Sequence, residues 1–283
     1  MFKKIFFITV YFFAIIGLLS VSVFVAMQFG LLTVRGSIAQ RNAFFGPVPK
    51  TDNSNGCLNV DKDIEKEARC SWSDSAEWKV VREGLIKDAQ IITEVSLKTG
   101  VSARMIASVV VPEQIRFFTS NRETFKRYFE PFKVLGSMSQ FSLGVSGIKQ
   151  ETARKIEQYA LDTTSLFYPG KGMAELVAYE EGDDHDVVLY TRLTDAKNHY
   201  YSYLYTALYL KEIQEQWKRA GFDVSARPDV LVTLFNIGFK ASSPNPNPTV
   251  AGSIVEVGGQ SYSFGELGAL FYNSDELSAI FPR

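Results

Sequence analysis

Ile106, Val109, Val110, Glu113 and Phe117 recur at spacings of three, four and seven, which puts one carboxyl in the middle of an otherwise apolar helical stripe. Such a carboxyl is expensive to bury unless it is paired or neutral. Partial burial raises the proton affinity of a carboxylate, and an acid that keeps its proton near neutral pH can protonate the leaving oxygen of a glycosidic bond. Pro112, just before it, predicts that the helix ends or kinks there and sets Glu113 at an edge where a cleft opens. The structural alternative is an ion pair with Arg104 or Arg116, or a Glu facing water beyond a kink.

Other chemistries find little support. Asp183, Asp184 and Asp186 could supply a second carboxylate or hold calcium, but they lack EF-hand spacing and read as a solvated tip. With two His and two Cys at scattered positions and no H-E-x-x-H, a zinc site is not expected. There is no G-x-x-x-x-G-K-[ST] and no G-x-G-x-x-G, so no phosphate-cradling loop is indicated. Thirty basic against 31 acidic side chains give a formal net charge of −1, without a basic run interleaved with aromatics, and nucleic acid is not an expected partner.

The segment Ser142-Leu143-Gly144-Val145-Ser146-Gly147-Ile148-Lys149-Gln150-Glu151-Thr152-Ala153 resembles the G-L-M-Q-[IL]-x-P-x-T-A signature of lysozyme-like lytic transglycosylases, with Gly144, Ile148, Thr152 and Ala153 in matching places. Upstream, Thr99-Gly100-Val101-Ser102 and Met105 to Val110, followed by Glu113, resemble the family's helix leading to its E-[ST] pair. Downstream, Ala207 to Ile213 resembles its Y-L-x-x-L helix, and Phe235-Asn236-Ile237-Gly238 its [AF]-[YF]-N-x-G. The order of these pieces carries the resemblance, which covers roughly residues 75–240.

The resemblance implies a peptidoglycan-cleaving domain of lysozyme-like fold with Glu113 as the catalytic acid and no metal or organic cofactor. In that family one Glu protonates the oxygen between N-acetylmuramic acid and N-acetylglucosamine, the substrate's acetamido group stabilises the cationic centre, and the same Glu then takes a proton from the C6 hydroxyl. The product is a 1,6-anhydro end, and no second catalytic carboxylate is needed, unlike the two of ordinary glycosidases. Substrate contacts are expected from Ser142, Gly144, Val145, Ser146, Gly147, Phe235 and Asn236. Turn geometry for Gly144 and Gly147, and a helix C-cap for Asn236, explain those residues equally well. The chain departs from the pattern where the family's Met and Gln are Ser146 and Gly147, its Pro is Gln150, and the residue after the acid is Gln114. A muramidase of the same fold with a base among residues 183–186, and a non-catalytic wall-binding or scaffold protein, are the rival readings.

Several elements must position these residues. Ser73 or Ser75 caps a helix with the stripe Trp78, Val81, Leu85, Ala89 and Ile92, stopped at Gly100. Further helices are expected from about Ser102, at 150–161, at 195–219, at 229–237 behind Pro228, and after Ser263, where Ser263 and Glu266 have capping-box spacing. The tyrosines of the 195–219 helix (Tyr200, Tyr201, Tyr203, Tyr205 and Tyr209) suit packing better than sugar stacking. Two hairpins interrupt the helices: Glu175 to Tyr179 with Val187 to Thr191 around the acidic tip, and Ser253 to Val257 with Gln260 to Ser263 around Gly258-Gly259. Small hairpins on a helical body indicate an α+β domain, mainly α.

The 283 residues, 46% apolar and 22% charged, exclude a mainly disordered chain. Lys3 and Lys4 precede an uncharged apolar stretch from Ile5 to Met27 that stays weakly polar to Val34, long enough to cross a bilayer and without an A-x-A cleavage site. Residues 1–34 are therefore expected to be a single transmembrane signal anchor with the domain on the extracytoplasmic side, and the resemblance implies a bacterial cytoplasmic membrane and peptidoglycan glycan strands as partner. Residues 35–70 read as a stalk, 71–240 as the lysozyme-like domain and 241–283 as a hairpin-and-helix extension packed on it. In an oxidising compartment Cys57 and Cys70 are expected to pair across a short polar loop.

Overall fold

Helix α3 (Ala103–Thr119) follows helices α1 (Ala76–Lys87) and α2 (Ala89–Thr99), and every residue of it from Arg104 to Arg116 is buried. A helix covered on all faces belongs at the centre of a domain rather than at its surface. The remaining elements surround it: α4 (Gln150–Leu161), α5 (His185–Thr194), α6 (Tyr200–Arg219), α7 (Pro228–Ile237), and a hairpin of β4 (Ile254–Val257) and β5 (Gln260–Ser263) that leads into α8 (Phe264–Asn273). Helices α1, α2, α6, α7 and α8 and strand β4 all pack on α3. The chain is mainly helical, an α+β arrangement. This computed structural model describes residues 11–13, 15–19, 21–22, 34–35, 70–119, 141–195 and 197–283, without the side chains of 34–35, 117–119 and 141–143.

Local chemistry sets most boundaries. Ser75 Oγ accepts the Trp78 N–H at 3.0 Å to start α1, and Gly100 closes α2 in the left-handed region at φ 74°. Pro228 opens α7 where its missing N–H costs nothing, and the Ser263–Glu266 capping box opens α8. In β4, Val255 and Val257 are buried while Ile254 and Glu256 face out, the alternation of a strand with one covered face. A second sheet orders β1 (Val34–Arg35), β2 (Phe141–Leu143) and β3 (Ile148–Lys149), with β1 parallel and β3 antiparallel to β2. Trp72, Trp78 and Phe271 pack edge-on or tilted at 5.0–6.3 Å between centroids, joining the start of the domain to α8.

The structure corrects four expectations. The first helix is two, broken at Asp88, whose buried Oδ2 accepts hydrogen bonds from His199 Nδ1 at 2.6 Å and Tyr203 Oη at 2.8 Å. Pro112 does not end α3, which runs on to Thr119. The Ser108 carbonyl, four residues earlier, loses its usual N–H donor to this Pro. Gly268 of α8 lies against that carbonyl, where a Cβ would come to 2.6 Å. The predicted hairpin around the acidic tip is instead a short 3-10 turn (Ala174–Val177) and helix α5. Val187, Val188 and Tyr190 suggest a strand by type, but Leu189 and Leu193 are buried at helical spacing and Asp184 caps the first turn through the Asp186 and Val187 N–H groups. The helix expected from 195 starts at Tyr200, because Asp195 Oδ1 holds the N–H groups of Lys197 and Asn198 in a turn.

Residues 11–13, 15–19 and 21–22 are helical and exposed. No helix among the described residues is long and apolar enough to cross a membrane, and most of the predicted 1–34 span lies outside them. Of the predicted stalk, 36–69 lies outside as well. Cys70 is disulfide-bonded, while Cys57 is outside the described residues.

Candidate functional site

Glu113, Gln114 and Arg116 lie in the C-terminal half of α3, and each contacts a different part of the surroundings. Glu113 is 2% exposed, and its Oε2 forms an ion pair with Arg116 Nη2, three residues along the same helix face. Arg116 in turn lies over the Phe264 ring, 5.3 Å from its centroid. Gln114 Nε2 donates to the Val145 carbonyl, and the Val145 N–H donates to Ser202 Oγ at 2.9 Å. The turn 144–147 is thereby held from α3 on one side and from the first turn of α6 on the other.

This turn closes directly on the carboxylate. Gly147 has φ 64°, and a Cβ on it would fall 2.1 Å from Glu113 Oε1. Both the left-handed backbone and the lack of space demand glycine here. A Gly147→Ala variant is expected to lose about 1–3 kcal/mol through strain and displacement of the Glu113 carboxylate, measurable as a lowered urea midpoint with an unchanged slope. Gln114 Oε1 and Ser146 Oγ, in the same cluster, are buried with no hydrogen-bond partner among the described residues.

The structure brings together Glu113 and the turn containing Gly144, Val145, Ser146 and Gly147. Gly144 lies against Ser202, and the Val145 side chain is buried in the core. Ser142 is in β2 with its side chain, like that of Phe117, outside the described residues. Phe235 packs on Tyr209 at 4.9 Å between centroids, and Asn236 Oδ1 accepts from the Ser253 N–H at 2.9 Å, so neither is joined to Glu113. Asn236 is not the C-cap of α7; Gly238 is.

The paired alternative for Glu113 is the one observed, and Asp184 and Asp186 are exposed, as a solvated tip requires. Glu113 has a cationic partner, and of the two arginines considered it is Arg116. Arg104 reaches the C-terminal segment instead, because about two and a half turns of helix place it on the opposite face from the carboxylate, towards the carbonyls of Phe271 and Phe281. The acidic tip is engaged in structure: Asp183 Oδ2 accepts the Glu180 N–H, Asp184 caps α5, and Asp186 pairs with Arg154. Sequence reasoning missed Ser202, whose hydroxyl fixes the turn, and no local signal marks it. It also missed Glu157, whose carboxylate accepts hydrogen bonds from Tyr179 at 2.6 Å and from Tyr205. The α6 tyrosines pack as expected, with Tyr203, Tyr205 and Tyr209 buried.

No family model, curated protein or solved structure matches the chain.

Proposed function

We propose that the chain acts on peptidoglycan as a lytic transglycosylase of lysozyme-like fold, tethered to a membrane by its N-terminal apolar stretch. Glu113 is its acid and then its base. One observation carries the reading: Gly147 of the 142–153 segment lies against the Glu113 carboxylate, so the two stretches that most resemble the family in sequence meet at a single carboxyl. The buried Gln114 Oε1 and Ser146 Oγ support it as sites for saccharide hydroxyls or acetamido groups. In the ion pair Glu113 is a carboxylate, so it must exchange Arg116 for a proton before donating to the glycosidic oxygen. Afterwards the carboxylate is in the form that takes a proton from the C6 hydroxyl.

The Arg116 pair also favours a second reading, a glycan-binding protein without turnover, in which the carboxyl serves the fold. The engagement of Asp183, Asp184 and Asp186 counts against a muramidase with its base in that segment. Sacculi digested with the purified full-length chain and analysed by mass spectrometry are expected to yield anhydro-ended muropeptides with wild type and only background with Glu113→Gln. Reducing ends overturn the transglycosylase in favour of a muramidase. Sacculus binding without cleavage by either form establishes the non-catalytic reading, and equal cleavage by both removes Glu113 from the mechanism.

A further inference from the structure

Away from Glu113 and the 144–147 turn, a cavity of about 640 Å³ opens between α4, the Ala174–Val177 turn and the start of α5. Its surface is mainly apolar, with Leu161, Val177 and Ala178 among the lining side chains. The edge of the hollow is also greasy, since Leu161 is 72% exposed. One wall is a stack: the Tyr179 ring lies parallel to the His185 imidazole at 4.0 Å between centroids, and the Arg192 guanidinium sits over Tyr179 at 4.5 Å.

The wall is held in place before any ligand arrives. Arg192 donates to the Val177 carbonyl at 2.8 Å and to the Ala178 carbonyl at 2.6 Å, which ties the lining segment's backbone to α5. Glu157 is fixed as well: Oε1 accepts the phenol hydrogens of Tyr179 and Tyr205. Both hydroxyls approach one oxygen, so Oε2 keeps its acceptor capacity, and no Lys or Arg pairs with this carboxylate among the described residues. Glu175, Glu180 and Glu181 add negative charge around the hollow, against the single guanidinium of Arg192 behind the Tyr179 ring. A pinned carboxylate without an ion pair, in an apolar, aromatic cavity where acidic side chains outnumber the one nearby guanidinium, complements a cation with a greasy body; it repels anions and leaves a neutral ligand without its strongest contact.

We propose that this cavity is a binding site for an organic ammonium ion with an apolar or aryl body, its N–H groups donating to Glu157 and its body lying over the Leu161–Ala178 surface beside the Tyr179–His185 stack. The site is independent of the Glu113 chemistry. Three probes that share a body and differ in charge test it by calorimetric titration of the full-length chain: 2-phenylethylammonium, 2-phenylethanol and 3-phenylpropanoate. The ammonium is expected to bind saturably, the alcohol at least about tenfold more weakly, and the carboxylate not at all over the same range. Glu157→Gln is expected to weaken the ammonium at least about tenfold while leaving the alcohol unchanged. Ala178→Trp, which fills the hollow without touching the Glu157 hydrogen bonds, is expected to abolish binding of both and guards against a Glu157 variant that fails to fold. Equal affinity for ammonium and alcohol, undiminished binding by Ala178→Trp, or no saturable binding of the ammonium each overturns the assignment.

Discussion

An Arg104→Met variant is expected to lose about 3–5 kcal/mol of folding stability, read as a shift of the denaturant midpoint. Arg104 sits on α3 with 0% exposure, and its guanidinium forms no ion pair among the described residues; it donates to main-chain oxygens. Nε donates to Tyr272 at 2.6 Å, Nη1 to Glu276 at 3.1 Å and Phe281 at 2.9 Å, and Nη2 to Phe271 at 2.8 Å and Ser274 at 2.5 Å. Burial pulls its pKa below the ordinary value. The carbonyls at the C-terminal end of α8, together with the helix dipole there, supply the compensating negative potential. Methionine keeps the stem but takes the donor from the Glu276 and Phe281 carbonyls, while Tyr272 and Ser274 keep Arg283 and Phe271 keeps Ser274. Arg104→Lys is expected to recover only a minor part, since an ammonium lacks the planar fork of donors that reaches five carbonyls. Wild-type stability in the Met variant would show that the tail is held by its apolar contacts alone.

The opposite sign is expected at Glu212, where Glu212→Leu stabilises the protein by up to about 3 kcal/mol at pH 7. This side chain lies on α6 with 0% exposure, and neither carboxyl oxygen has a hydrogen-bond partner among the described residues. Burial raises its pKa well above the ordinary 4.5. The folded state therefore binds its proton more tightly than the unfolded chain. Its unfavourable contribution is absent below about pH 4.5 and grows, by about 1.4 kcal/mol per pH unit, as pH rises towards the folded-state pKa. Unfolding curves of wild type and Glu212→Leu, measured from pH 4 to pH 8, should diverge over that window. Parallel curves would mean that the carboxyl has found a partner, and the expectation fails.

Much of what positions Glu113 was legible because it is local. Gly100, the Ser263–Glu266 box and Gly258-Gly259 each act on residues within one turn of themselves, and each ends or begins an element where expected. Glu113 was recognisable as a buried carboxyl from helical spacing alone. Its partner follows from the same periodicity once the helix runs through Pro112: Arg116 is three residues along the same face, whereas Arg104 is nine residues back on the opposite one. The tip at 183–186 misled: β-branched Val187 and Val188 suggest a strand, while the deciding Asp184 cap competes only once the backbone has turned. Ser202 and Glu157 gave no sign, since their partners lie on other elements. The contact between Glu113 and Gly147 fits the order of the motifs, although composition and periodicity are silent on it.

Cys70 is bound to the far end of the sequence: its N–H donates to the Gly258 carbonyl at 2.9 Å, and its carbonyl accepts from Gln260 Nε2 at 2.6 Å, across a separation of 190 residues. During synthesis at about 5–20 residues per second, roughly 10–40 s pass between the appearance of Cys70 and that of its acceptor. Arg104 waits nearly as long for oxygens 167–177 residues downstream. Until the last helix leaves the ribosome, the central rod has no cover on the side where α8 will lie, and its apolar surface there stays open to chaperones or to neighbouring nascent chains.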